Sequence, residues 1–179
     1  TLILIGSILL AISAKVQVPF WPVPMTMQTF VIFLIGMTYS VRLSFATVAF
    51  YLFQGAIGLP VFAAGGGIAY LVGPTAGYLY GMLFASIVIS YFANLGFSKT
   101  YFKAALSLLI GSVVIFSFGI IYLGYIIGFE KAVAAGLLPF IPSELFKIAI
   151  AVAIIPSITK IIKCCFTTSL PIALAAVSL

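Results

Sequence analysis

The chain has 179 residues, of which 65% are hydrophobic and 6% charged, with eight basic residues, two acidic ones and no histidine. A mean hydropathy of +1.40 excludes an ordinary soluble domain, in which about a quarter of the residues are charged. The net charge of +6 does not point to nucleic acid, because the basic residues stand singly or in pairs and form no patch to follow a phosphate backbone.

At roughly 20 residues per span, a chain of this length accommodates about six transmembrane helices with tight connections. The apolar runs and their breaks predict an all-α integral membrane protein, a bundle of six transmembrane helices near residues 1–14, 26–41, 43–58, 75–96, 102–128 and 143–159. Residues 1–163 read as one domain with no polar segment large enough for a second. The first run reaches only Ala14 before Lys15, so the N-terminus reads as incomplete, and no basic n-region or cleavage site marks a signal peptide. Residues 164–179 (CCFTTSLPIALAAVSL) form an atypical hydrophobic tail. With Pro171 inside, it is short for a span, and an interfacial segment, part of a seventh helix and a sequence error are all open. Cys164 and Cys165 are adjacent and suit neither a disulfide framework nor a metal site.

The connections alternate in character. Connections one (15–25), three (59–74) and five (129–142) hold seven of the nine prolines and the triplet Gly65–Gly67, and they are unusually apolar. Connections two and four are short and basic (Arg42; Lys99 and Lys103), and Lys160 and Lys163 follow the sixth span. Odd connections share one side of the membrane, so the positive-inside rule puts the even side and the N-terminus in the cytoplasm. Irregular backbone at membrane depth is tolerated only where it is buried in protein or lines a cavity. The three odd connections are therefore expected to converge as lids over an outward-facing pocket.

Catalysis is set aside by composition. Glu130 and Glu144 are the only acids, so no metal cluster, paired carboxylates or Ser/His/Asp set can be assembled. Gly65–Gly67 is not followed by Gly-Lys-Ser/Thr, so no P-loop is present.

The chemistry left is concentrated at the start of the sixth span, in Pro142-Ser143-Glu144 and Lys147. Ser143 reads as an N-cap, and Glu144 in the first turn suits the helix dipole. Lys147 sits at the wrong end of that dipole and needs a negative partner, as ionisable groups in the bilayer are costly when unpaired. Glu144, three residues earlier on the same face, is one candidate, and an anionic group of a ligand is the other. Gly66 and Gly67 permit close backbone approach, with a flexible loop as the alternative. Tyr70, Trp21, Phe20 and Phe62 offer flat apolar surface for a ring or interfacial anchors. Gln28 and Gln54 lie near the ends of spans two and three, where helix–helix hydrogen bonding is their other role. On the first helix Ser7, Ala11 and Ala14 form a small-residue stripe that serves either internal packing or a partner protein.

Four collinear motifs carry a resemblance. They are Val18-Pro-Phe-Trp-Pro-Val-Pro-Met-Thr-Met-Gln-Thr29, Gly58-Leu-Pro-Val-Phe-Ala63, Gly73-Pro-Thr-Ala-Gly-Tyr78 and Leu138-Pro-Phe-Ile-Pro-Ser-Glu-Leu-Phe-Lys147. Together they resemble the BioY family, the biotin-specific substrate-binding subunits (S components) of energy-coupling factor (ECF) transporters. The resemblance covers about residues 1–163. It implies the six-helix S-component fold in a bacterial cell membrane, biotin as the ligand with no cofactor, and capture from the outer face. Loops one and three are expected to close over the vitamin, with Glu144 and Lys147 hydrogen-bonding it. Gly66 and Gly67 are expected to offer backbone contacts, and Tyr70 and Gln28 to join the site. The family usually has aspartate where Glu144 stands, and often glycine where Ser143 and Ala76 stand. The implied partners are a transmembrane coupling subunit and two cytoplasmic ATPases, with Ser7, Ala11 and Ala14 corresponding to a docking stripe. A homo-oligomer, an S component for another vitamin and a non-transporting membrane assembly protein stay open.

Overall fold

The computed structural model describes residues 1–19 and 21–169, with side chains described as far as Ile155. Helix α1 (Leu2–Lys15) leads into a two-stranded antiparallel hairpin, β1 (Gln17–Val18) and β2 (Met25–Thr26), in which Gln17 pairs with Thr26. Helices α2 (Gln28–Thr38) and α3 (Val41–Ala56) follow. A short turn of helix, α4 (Ile68–Leu71), lies within loop three before α5 (Ala76–Asn94). A 3₁₀ turn at Phe97–Lys99 connects to α6 (Tyr101–Ile127), then come α7 (Phe129–Gly136) and α8 (Phe140–Ser169). Among the described residues, five of the six helices of eleven residues or more match predicted spans to within three residues at each end, whereas α8 begins three residues before the predicted sixth span and runs ten residues past its end. The tail reading falls largely outside the described residues, since its side chains are not described and residues 170–179 lie beyond them.

Helices α5 and α6 are long and apolar enough to cross a membrane, and α7 with α8 passes the same test as one span bent by 45°. Helices α1 and α2 are shorter apolar helices. At 1.5 Å per residue α2 is only about 16 Å long, against a hydrocarbon core of about 30 Å. One end of α2 must therefore lie at depth.

The bundle is held by close backbone contact as much as by large side chains. A Cβ on Gly81 would stand 2.8 Å from Ile115 O, and one on Gly77 would stand 2.7 Å from Phe118 O. Glycine at these positions lets α5 lie directly on α6, the small-residue packing expected in lipid. Leu10, Ile32, Phe33, Val48, Ile89, Leu108 and Ile115 fill the interior, while Leu4, Ile8, Phe53, Ile121 and Tyr125 are exposed on the outside of the bundle. That inverted surface is what a hydrocarbon solvent permits.

Two expectations are corrected, and the α1 stripe is located. Connection five is not simply a loop, since Phe129–Gly136 forms α7, with Ala132 and Gly136 turned inward and Glu130 and Lys131 outward. Ser143 is not an N-cap. Helix α8 already begins at Phe140, and Leu137 O accepts from the backbone N–H groups of both Phe140 and Ile141. The stripe on α1 faces the chain's own bundle: Ser7 and Ala14 are fully buried, Ala11 is half-buried, and α1 packs on α2 and α3. Ser7 and Ala14 thus pack inside the chain's own bundle, while Ala11 keeps part of its surface.

Candidate ligand-binding site

One end of the bundle holds a narrow cleft, largely filled by the side chains that line it. Loop one supplies Val23, Pro24 and Thr26, and loop three supplies Ala63, Tyr70 and Thr75; α2, α5, α6 and α8 form the walls and floor. The α6 residues involved, Ile115 and Phe116, lie eleven or more residues before Ile127, the last of that helix. The cleft thus reaches about 16 Å down the helix axis, at 1.5 Å per residue. Its walls are mainly apolar, and three rings dominate one side. Tyr78 stacks on Phe140 at 6.3 Å and meets Phe116 edge-on at 6.2 Å, while the Tyr78 hydroxyl donates to Gly136 O at 2.9 Å.

Glu144 and Lys147 are each only 4% exposed and both line this cleft. Their spacing on α8 puts them on one face, and Lys147 Nζ lies 3.3 Å from Glu144 Oε2. The pair is not isolated. Thr29, in the first turn of α2, donates to Glu144 Oε2 at 3.0 Å and accepts from Lys147 Nζ at 3.0 Å. Lys147 also donates to the Thr26 backbone carbonyl at 2.7 Å. All three ammonium protons thus have acceptors, as a buried cation requires. Glu144 Oε1 is less well served, with Ser112 donating at 3.4 Å, near the limit of a hydrogen bond. Glu144 Oε1 thus keeps spare acceptor capacity on the Ser112 side, where both residues line a second apolar groove between α6 and α8.

The other residues expected at the site occupy distinct positions. Gln28 lines the cleft, and it also joins a directional chain. Thr26 Oγ1 donates to Gln28 Oε1 at 3.2 Å, Gln28 Nε2 donates to the Tyr51 hydroxyl at 2.7 Å, and Tyr51 donates to Val61 O at 3.1 Å. Tyr70 lines the cleft and stacks at 4.9 Å on Phe62, which is fully buried beneath it. Gly66 and Gly67 do not line the cleft. A Cβ on Gly66 would run into Leu59 O, and Gly67 has φ +104° and donates its N–H to Gly55 O at 2.7 Å. Both glycines therefore shape loop three. Trp21 is exposed outside the cleft, and Phe20 lies outside the described residues. Thr29, Ser112, Tyr78, Phe116 and Phe140 were not singled out from the sequence as site residues. Thr29 had no local signal, because its partners are 115 and 118 residues away.

A mainly apolar cleft at one end of a helix bundle, roofed by two loops and floored by a paired charge, belongs here to an all-α integral membrane protein. The chain belongs to the BioY family, whose family model matches residues 1–164. It is 38% identical over 147 residues to "Probable biotin transporter BioY" of Pyrococcus horikoshii, covering 82% of this chain and 86% of that one. It is 35% identical over 155 residues to "Biotin transporter BioY" of Thermotoga maritima, covering 86% and 90%. Among solved structures it matches a chain described as the S-component for biotin from an ECF-type ABC transporter, with a TM-score of 0.78, 25% identity and 87% of each chain covered.

Proposed function

We propose that this chain is the membrane-embedded subunit that captures biotin for an ECF-type transporter. The observation that carries the proposal is the buried Glu144–Lys147–Thr29 cluster at the floor of an otherwise apolar cleft. Biotin has a ureido group with two N–H donors and one carbonyl acceptor, fused to an apolar sulfur ring and followed by an acidic tail. The Glu144 carboxylate accepts a ureido N–H, and Lys147 donates to the ureido carbonyl by exchanging its longest bond, the 3.3 Å contact to Glu144. The fused rings pack against Tyr70, Tyr78, Phe116 and Phe140, and the tail points to the mouth.

No covalent step is needed. The chain binds, orients and excludes water, and release is driven by a transmembrane coupling subunit with two cytoplasmic ATPases. By the positive-inside rule, the basic connections two and four support a reading in which the cleft faces outward from the cell membrane and the N-terminus is cytoplasmic.

Equilibrium binding of labelled biotin to the detergent-purified chain tests this reading, with Glu144→Ala and Lys147→Ala alongside. Removing one member of a buried, hydrogen-bonded charge pair costs 2–5 kcal/mol, so each variant is expected to lose about 30-fold or more in affinity. Competition by dethiobiotin and by unrelated vitamins reads the substrate class. Absence of binding by the folded wild-type protein would sink the assignment.

A further inference from the structure

Loops one and three are tied together by two side chains that do not line the cleft. Lys15, the last residue of α1, donates from Nζ to Phe62 O at 2.7 Å, and Gln17 Nε2 donates to Ala63 O at 3.2 Å. A lysine in the last turn of a helix is adequately explained by that helix's own dipole. Here the ammonium instead reaches a carbonyl 47 residues away. Two donors on consecutive carbonyls fix the orientation of the Phe62–Ala63 segment, and the charged donor makes the stronger bond.

That segment controls the roof. Phe62 is fully buried, stands edge-on to Tyr51 at 5.5 Å, and carries Tyr70 stacked on it. Ala63 and Tyr70 both line the cleft. The tie also continues to the floor. Gln17 pairs with Thr26 in the hairpin, and the Thr26 carbonyl is the 2.7 Å acceptor of Lys147.

We propose that Lys15 and Gln17 are positioning residues of the ligand site: they hold loop three down on loop one through the carbonyls of Phe62 and Ala63, and so set how long the ligand stays. The proposal rests on the cleft being the ligand site, with biotin as the probe. Neither residue lines the cleft, so the effect appears in dissociation, not in the initial encounter.

Bound labelled biotin is chased with excess unlabelled biotin on wild type, Lys15→Met, Lys15→Arg and Gln17→Leu in detergent or nanodiscs. One surface-accessible hydrogen bond corresponds to about fivefold, so Lys15→Met is expected to release biotin about fivefold faster with association changed less than about twofold. Lys15→Arg restores slow release, and Gln17→Leu shifts it in the same direction. In the ligand-free protein, amide hydrogen exchange over residues 61–67 is expected to rise about fivefold in Lys15→Met, while the first turn of α2 is unchanged. This arm needs no ligand, so it separates failure of the tie from failure of the biotin assignment. If Lys15→Met does not fold, Gln17→Leu, on an exposed strand, carries both measurements. Wild-type release and wild-type loop-three exchange in the folded variants would overturn the proposal.

Discussion

Thr29→Val is the sharpest test of the buried cluster, because valine preserves the shape of threonine and removes only the hydroxyl. That hydroxyl makes two charge-assisted bonds, to Glu144 and from Lys147, both at 3.0 Å. Such bonds contribute about 1.5–3 kcal/mol each. Part is regained, since Lys147 keeps Thr26 O at 2.7 Å and the direct 3.3 Å pair with Glu144 can tighten. A net loss of about 2 kcal/mol follows, or roughly 30-fold in affinity if the cluster is preorganised for the ligand. Thr29→Ser keeps the hydroxyl and is expected within about threefold of wild type, apart from a small packing loss. Equilibrium binding of labelled biotin to the three purified proteins, with thermal melting as a control for folding, decides it. Wild-type affinity in Thr29→Val would make the hydroxyl a spectator. A loss in Thr29→Ser as large as that in Thr29→Val would mean that the hydroxyl alone does not hold the site, because serine keeps it, and either result refutes the reasoning.

Glu144→Gln leaves the Lys147 ammonium buried without its counter-charge, and an affinity loss of about 30-fold or more is expected by the same binding assay. Gly55→Ala drives a Cβ into the Phe62 ring; loop three must lift, and the melting temperature and biotin affinity should fall together, whereas an unchanged melt would mean the ring can give way. Tyr51→Phe removes the acceptor of Gln28 and the donor to Val61 O; a loss of about 1–3 kcal/mol in unfolding free energy is expected by denaturant titration in detergent.

The long helices were legible because each is an apolar run bounded by prolines, glycines or a basic residue, and in lipid such a run has no alternative to being helical. The pieces that were not legible are short and depend on tertiary support. Helix α7 has only eight residues, below the length at which a helix is stable alone, and its inward residues Ala132 and Gly136 carry little hydrophobic signal. The start of α8 was misjudged because Ser143 looks like a cap, whereas Leu137 O already closes the first turn three residues upstream. Glu144 and Lys147 were conspicuous as charges in an apolar chain. Thr29 was not, since threonine in a membrane helix is ordinary and its role exists only once α2 and α8 meet. The α1 stripe shows the same limit: spacing identified a close-packing face but not which neighbour it packs against, and Ser7 and Ala14 are buried in the chain's own bundle.

The shortness of α2 connects the fold to the site. A helix of eleven residues cannot reach both surfaces of the bilayer, and wherever the backbone that leads into it lies at depth, its polar groups need partners that lipid cannot supply. The β1–β2 hairpin pairs part of that backbone, and Lys147 takes the Thr26 carbonyl. The ammonium is in turn tolerable because Thr29 and Glu144 surround it. The groups that satisfy this backbone are therefore the same groups that face the cleft. Substitutions at Lys147 should for this reason lower the stability of loop one as well as ligand affinity, whereas substitutions at Tyr70 or Phe116, which contribute only apolar surface to the cleft, should lower affinity with little change in the exchange of loop-one amides.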